Sequence, residues 1–212
     1  MRLLPLFLIA ILSTVSVASA DILYQVTVDT STISGAAGSL DLQFNPGSLV
    51  TQAGSLQILN FISDGTLAGG PSLTGGVSGG PLPSTLTFDN SAGFNDYFEG
   101  FTFGSKLLFD LRLSGPAVNS PDGTSTSGST FAFSMFSDAA GTIPALTTDT
   151  TNGFAFTVDV NLDGSATVNG FSTQTSVQPG SIAAVPEPSG LILLGIGMVF
   201  CSAVGFRRRV RG

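Results

Sequence analysis

Between residues 101 and 160, apolar and polar side chains repeatedly alternate with a period of two. Phe154, Phe156, Val158 and Val160 are interleaved with Ala155, Thr157 and Asp159, and Phe109, Leu111 and Leu113 with Asp110 and Arg112. Phe131, Phe133 and Met135 are interleaved with Ala132, Ser134 and Phe136, and Phe101 and Phe103 flank Thr102, with Gly100 before them. A strand points successive side chains to opposite faces, so this spacing predicts strands with one face toward a core. Further strands are expected at Ile22–Val28, Ser39–Phe44, Ser55–Phe61, Thr85–Phe88 and Ala166–Phe171. Gly, Pro, Asn and Ser separate these runs, and no helical period appears outside the two chain ends.

Many short strands joined by turns predict an all-β fold, an antiparallel β-sandwich or jelly-roll-like domain. Fourteen of the 17 Phe lie between residues 44 and 171, so aromatic rings are expected to dominate the core. Two segments read as loops. Ser63–Ser84 is rich in Gly, Ser and Pro and is expected to be a flexible surface loop. It has neither the lysine nor the following helix that a phosphate-cradling loop requires. The second loop spans about Ser114–Ser129. No repeat of fixed period is present.

The chain ends follow different rules. Arg2, the apolar run Leu3–Leu12 and the small-x-small sequence Ala18-Ser19-Ala20 have the order of a secretory signal peptide. Cleavage by signal peptidase is expected after Ala20, with Asp21 beginning the mature chain. At the other end, Pro186-Glu187-Pro188 precedes the uncharged run Leu191–Phe206, and Arg207, Arg208, Arg209 and Arg211 follow it. The two prolines favour an extended segment. The 16-residue run is short for a spanning helix, which needs about 20 residues, but flanking Ser189 and Gly190 and snorkelling arginines make a short span feasible. The arginine cluster predicts a cytoplasmic C-terminus and an external body. The expected organisation is a signal peptide at 1–20, a β-sandwich at 21–172, a polar, disordered linker at 173–184 and a tail at 185–212 with its transmembrane helix at 191–206.

The Pro-Glu-Pro motif, short apolar run and terminal arginines resemble a PEP-CTERM sorting signal over roughly residues 184–212. The resemblance implies recognition by an exosortase, an integral-membrane cysteine transpeptidase that cleaves near the motif. It further implies passage through the inner membrane to the cell surface or the extracellular matrix, in bacteria that make exopolysaccharide.

Charge and composition narrow what the body can do. Between Asp21 and Asp163 lie 13 acidic residues against only Lys106 and Arg112, a net charge of −11. Such a field repels phosphate backbones and argues against nucleic acid as a partner. The chain has no histidine, which removes a Ser–His–Asp triad and the commonest transition-metal ligand. Its single cysteine, Cys201, lies in the apolar tail, so the body has neither thiol nor disulfide. Lys106 has no S-x-x-K setting.

Asp96, Glu99 and Asp110 would serve glycoside hydrolysis only if two carboxyls faced each other across a cleft, and nothing in the sequence sets that distance. Asp159-Val-Asn161-Leu-Asp163-Gly164 matches the first half of a calcium loop, but its twelfth position is Gly170. The favoured reading is a hairpin in which Asp163-Gly164 forms a two-residue turn with both residues at positive φ. The expected mature protein is a non-catalytic structural or adhesive envelope protein without a cofactor. A secreted glycan- or calcium-binding module is the alternative, weakened for glycans by a body with no Trp and only Tyr24 and Tyr97.

Overall fold

A computed structural model describes residues 20–180. Within them the chain builds two antiparallel sheets around one apolar core. The first sheet contains β1 (Ile22–Asp29), β3 (Ser55–Ser63), β6 (Val77–Gly79), β7 (Leu86–Asp89), β9 (Lys106–Ser114) and β13 (Thr175–Pro179), in the order β13-β1-β9-β3-β7-β6. The second contains β2 (Ala37–Pro46), β4 (Thr66–Leu67), β5 (Ser72–Thr74), β8 (Asp96–Thr102), β10 (Ser129–Phe136), β11 (Phe154–Val160) and β12 (Ala166–Gly170). Its order is β12-β11-β10-β2-β8-β4, with β5 also paired to β8. A 3₁₀ turn at Ser31–Ile33 and a single helical turn, α1 (Pro116–Asn119), are the helical elements among the described residues.

The period-two pattern translates directly into burial. Tyr24, Val26 and Val28 of β1 face inward, as do Leu107, Phe109, Leu111 and Leu113 of β9. Leu40, Leu42 and Phe44 of β2 and Phe131, Phe133 and Met135 of β10 face them from the other sheet. The rings meet across and within the layers: the Phe109 and Phe133 centroids, from opposite sheets, lie 5.4 Å apart at 61°, and Phe133 lies 5.7 Å from Phe156 on the neighbouring strand. Edge-to-face pairs of this kind add about 0.5–1.5 kcal/mol beyond the area they bury.

β10 departs from alternation and is buried on both faces apart from Thr130. It is central in its sheet, and the segment after it folds back, with Ala145 N–H donating to Met135 O at 2.8 Å and Ser39 Oγ to Asp138 O at 2.9 Å. The Asp138 carboxylate fixes this fold-back by accepting the N–H groups of Thr142 and Ile143 at 2.9 and 2.8 Å.

Two expectations need correction. The Gly-rich segment 63–84 is not a flexible loop. It carries β4 and β5, which pair with β8, and β6, which pairs with β7. It therefore straps the open edges of both sheets, which would otherwise expose unpaired backbone groups. The segment read as a disordered linker from residue 173 carries β13, paired with β1 from Val28↔Thr175 to Tyr24↔Pro179. The folded body thus runs to Pro179, beyond the expected boundary at residue 172. Residues 1–19 of the expected signal peptide and the helix expected at 191–206 lie outside the described residues.

Candidate functional site

Carboxylates are the chemically versatile groups of this body, and the strands distribute them over different faces. On β8, Tyr97, Glu99 and Phe101 point inward while Asp96, Phe98 and Gly100 point outward. Glu99 is therefore a core residue, 2% exposed. Its carboxylate accepts the Tyr97 hydroxyl through Oε2 and the Gly69 N–H through Oε1 at 3.0 Å. The Tyr97 hydroxyl oxygen also accepts the Leu82 N–H at 3.1 Å. Burial, and then the neighbouring Glu99, push the Tyr97 pKa above its ordinary value, so the phenol stays a donor. This chain of bonds pins the strap at Gly69 and Leu82 and gives the Glu99 carboxylate a structural task.

Asp96 lies on the opposite face of the same strand. The register Gln43↔Asp96 and Asp41↔Phe98 makes Asp41 its diagonal neighbour on β2. Gln43 Nε2 donates to Asp41 Oδ2 at 2.9 Å, and Asn45 Nδ2 to Gln43 Oε1 at 3.2 Å, which lines up a row of polar side chains along β2. The Oδ1 atoms of Asp41 and Asp96 are buried without another partner. Two buried carboxyl oxygens on diagonal neighbours disfavour a second negative charge, so the pair favours keeping one proton. Burial first, and then the Asp96 carboxyl, push Asp41 up to about 8. Burial also raises Asp96. The pair therefore titrates as a unit.

Asp110 sits on β9, in the other sheet, and accepts Asn60 Nδ2 at 2.7 Å. Asp96, Glu99 and Asp110 thus occupy the outer face of one sheet, the core and the other sheet, and the structure brings no two of them together as a facing pair. The carboxyl pair that does form, Asp41 with Asp96, was missed by sequence reasoning. A usable signal was the alternation Asp41-Leu42-Gln43-Phe44-Asn45, which puts three polar groups on one strand face.

The half calcium motif forms the hairpin between β11 and β12, in register Val160↔Ala166. Its turn differs from the expected one. Gly164 has φ +82° but Asp163 does not have positive φ, and Gly164 N–H bonds Asn161 O at 3.0 Å while Asn161 N–H bonds Ser165 O at 2.8 Å. This is a three-residue loop with glycine at its left-handed position rather than a two-residue turn. Asp159 Oδ1 accepts Thr130 Oγ1 and its Oδ2 accepts Asn169 Nδ2, at 2.7 and 2.8 Å. Asp163 accepts the Ser165 N–H and hydroxyl, which hold its pKa below the ordinary value. Asn161 donates to Ser165 and Thr167. Asn161 and Asp163 meet on the Ser165 hydroxyl while Asp159 is bonded to Thr130 and Asn169, and among the described residues no group of three His, Cys, Asp or Glu is disposed to hold a metal ion.

At the start of the body, Asp21 Oδ2 accepts Arg112 Nε at 2.7 Å and Oδ1 accepts Asn119 Nδ2 at 2.9 Å. Burial works against its charge, but these bonds outweigh it and hold the Asp21 carboxyl below its ordinary pKa. The residue after Ala20 is thus tied to β9 and α1. Ala18 of the expected cleavage site lies outside the described residues. So do Pro186, Glu187 and Pro188 of the sorting motif and Arg207, Arg208, Arg209 and Arg211. Among the described residues no helix is long and apolar enough to cross a membrane.

Residues 184–209 match the family described as the PEP-CTERM protein-sorting motif. This match confirms the resemblance drawn from Pro186-Glu187-Pro188, the apolar run and the arginines, and it covers the tail alone. Such a motif implies export, a membrane-associated precursor and handling by an exosortase for delivery to the cell envelope. The chain matches no curated protein and no solved structure.

Proposed function

We propose that this chain is an exported precursor, cut by signal peptidase after Ala20 and by an exosortase near Pro186–Pro188. The β-sandwich is then released to the cell surface or the exopolysaccharide matrix as a structural or adhesive protein without catalysis. The match of residues 184–209 to the sorting motif carries this reading. Two features of the body support it. Asp21, the residue after the small-x-small site, is bonded to Arg112 and Asn119, and a cut before it keeps these bonds within the body. The three carboxylates that could have suggested hydrolysis are dispersed over separate faces, and Glu99 and Asp110 are committed to internal hydrogen bonds.

The test is intact mass and membrane fractionation of the protein from its native host, alongside Glu187→Ala. The expected species starts at Asp21, ends near Pro186 and lies outside the inner membrane. Glu187→Ala should retain the tail and stay in the membrane. A wild-type chain that keeps its arginine tail in the inner membrane of a host with the cognate transpeptidase overturns the reading.

A further inference from the structure

Register places both ends of the described chain at one end of the sandwich. In the first sheet Ile22 pairs with Leu113, Ser55 with both Ser114 and Asp89, and Tyr24 with Pro179. Asp21 and Gly180 therefore emerge side by side, and Gly180 N–H still bonds Leu23 O at 2.7 Å. In the second sheet Pro46 pairs with Ser129, Ser129 with Val160 and Val160 with Ala166. The two sheet ends are joined there by the Thr51–Ser127 bridge and by Asn90 Nδ2 donating to Ser129 Oγ at 2.8 Å.

The same end gathers the loops 47–54, 90–95 and 161–165, and these carry exposed apolar side chains. Leu49 and Val50 are 66% and 68% exposed, Phe94 47% and Leu162 50%. Ile62 and Ile143 lie toward the opposite end, after β3 and β10 have run the length of the domain, and Leu73 lies on the strap. Four large apolar side chains projecting from one end suit an apolar partner.

The chain supplies the partner. Ten residues separate Gly180 from the apolar run that begins at Leu191, so the folded body is tethered by at most roughly 40 Å of chain, at about 3.5 Å per extended residue, to the segment expected to make the precursor membrane-associated. Charge refines the partner's chemistry. Arg112 at this end is paired with Asp21, Lys106 lies at the far end of β9, and Asp89, Asp122 and Asp163 add negative charge near the exposed tips. Anionic headgroups are repelled and zwitterionic ones are tolerated.

We propose that the end of the sandwich bearing Leu49, Val50, Phe94 and Leu162 is a lipid-facing surface that rests on the bilayer holding the precursor's tail. This rests on the membrane-associated precursor of the preceding section. Tethering keeps the local lipid concentration high, so shallow insertion of four side chains suffices to orient the body. Removal of the tail ends that advantage, and the surface then lets go.

The chain contains no tryptophan, so an introduced one reports alone. The full-length protein is reconstituted into phosphatidylcholine vesicles with Val50→Trp, Leu162→Trp, Ile62→Trp or Ile143→Trp, with and without brominated acyl chains. Insertion of about 5–10 Å predicts roughly two-fold quenching at positions 50 and 162 and essentially none at 62 and 143. Including phosphatidylglycerol should reduce the quenching. Equal quenching at both ends, or none at either in protein that floats with the vesicles, overturns the surface. Failure to float at all instead refutes the membrane-associated precursor. A blue shift at position 50 without bromine quenching, together with a doubled mass, would assign the surface to a second copy of the chain and overturn the lipid assignment.

Discussion

Replacing Asp41 with Asn should invert the order of stability between wild type and variant as the pH rises. Asp41 keeps its proton in the fold up to about 8, whereas in the unfolded chain it ionises near its ordinary 3.8. A group whose folded pKa is raised stabilises the fold fully below the unfolded value and loses that contribution as pH climbs through the folded one. The window therefore runs from about pH 4 to about pH 8. At about 1.4 kcal/mol per pH unit the whole span has a ceiling near 6 kcal/mol. The proton is shared with Asp96 and Asp41 retains some solvent contact, so a realised loss of about 2–3 kcal/mol is expected.

The amide introduced by Asp41→Asn can donate to Asp96 Oδ1 at any pH, which replaces the shared proton by a permanent donor. Urea titrations between pH 4 and pH 9, followed by far-ultraviolet circular dichroism, would measure this. The variant should match wild type within about 0.5 kcal/mol at pH 4 and exceed it by about 2–3 kcal/mol at pH 8.5. Parallel pH profiles, or a variant weaker than wild type at pH 8.5, would refute the shared proton. Below this window the sign reverses. Asp64, held down to about 2 by the Ser105 hydroxyl and the N–H groups of Ser105 and Lys106, contributes stability that is lost as pH falls from about 4 toward 2. Wild type should therefore be most stable near pH 4 to 5.

Glu99→Ala should cost about 2–4 kcal/mol, because it empties a buried site, leaves the buried Tyr97 hydroxyl without its acceptor and removes the partner of the Gly69 N–H. Limited proteolysis should then cut within residues 63–84 first, and unchanged resistance there would show that the strap is held by other contacts. Phe133→Ala removes a fully buried ring lying between Phe109 and Phe156, so about 3–5 kcal/mol and a fall in Tm of about 10 °C are expected by calorimetry. Arg112→Ala, by contrast, breaks an ion pair whose arginine is 44% exposed, and should lower stability by about 1 kcal/mol or less in the same assay.

What the sequence reveals depends on how local the cause is. Alternation in Phe154–Val160 or Phe109–Leu113 is a property of neighbouring residues, and both segments form strands with the apolar face inward. The parity of Phe101 also places Glu99 inward, but an acidic residue is read as solvent-facing unless its partner is known. That partner is the Tyr97 hydroxyl two residues before it, joined by a backbone N–H from the strap. The strap itself is hidden for a similar reason. Its Gly, Ser and Pro have poor strand propensity, and β4 to β6 are held by pairing with β7 and β8, with only Leu67 and Val77 of these strands packing on the core. The Asp41–Asp96 pair requires the register of β2 against β8, which no spacing within either strand encodes. At the hairpin, Asp163-Gly164 identifies a turn, but loop length is set by how Asn161 and Ser165 close the ladder.

The position of β13 bears on processing as well as on folding. Consecutive strands repeatedly cross between the sheets, as β1 to β2, β2 to β3 and β12 to β13 do, so most pairings join segments far apart in sequence. Closing the first sheet therefore waits for β13, which among the described residues is the strand that covers the outer edge of β1. An exposed β1 edge would be a template for pairing with other chains. During export β1 leaves first and β13 last, immediately ahead of the sorting tail. Between Gly180, whose N–H is still bonded to Leu23 O, and Pro186 lie only residues 181–185. A cut near the motif preserves the closed sheet, whereas one within Thr175–Pro179 removes its edge. Truncation after Ser172 should accordingly aggregate where truncation after Gly180 stays monomeric in light scattering. If both remain monomeric, β13 is dispensable to edge protection, and the short spacer before the motif has no protective meaning.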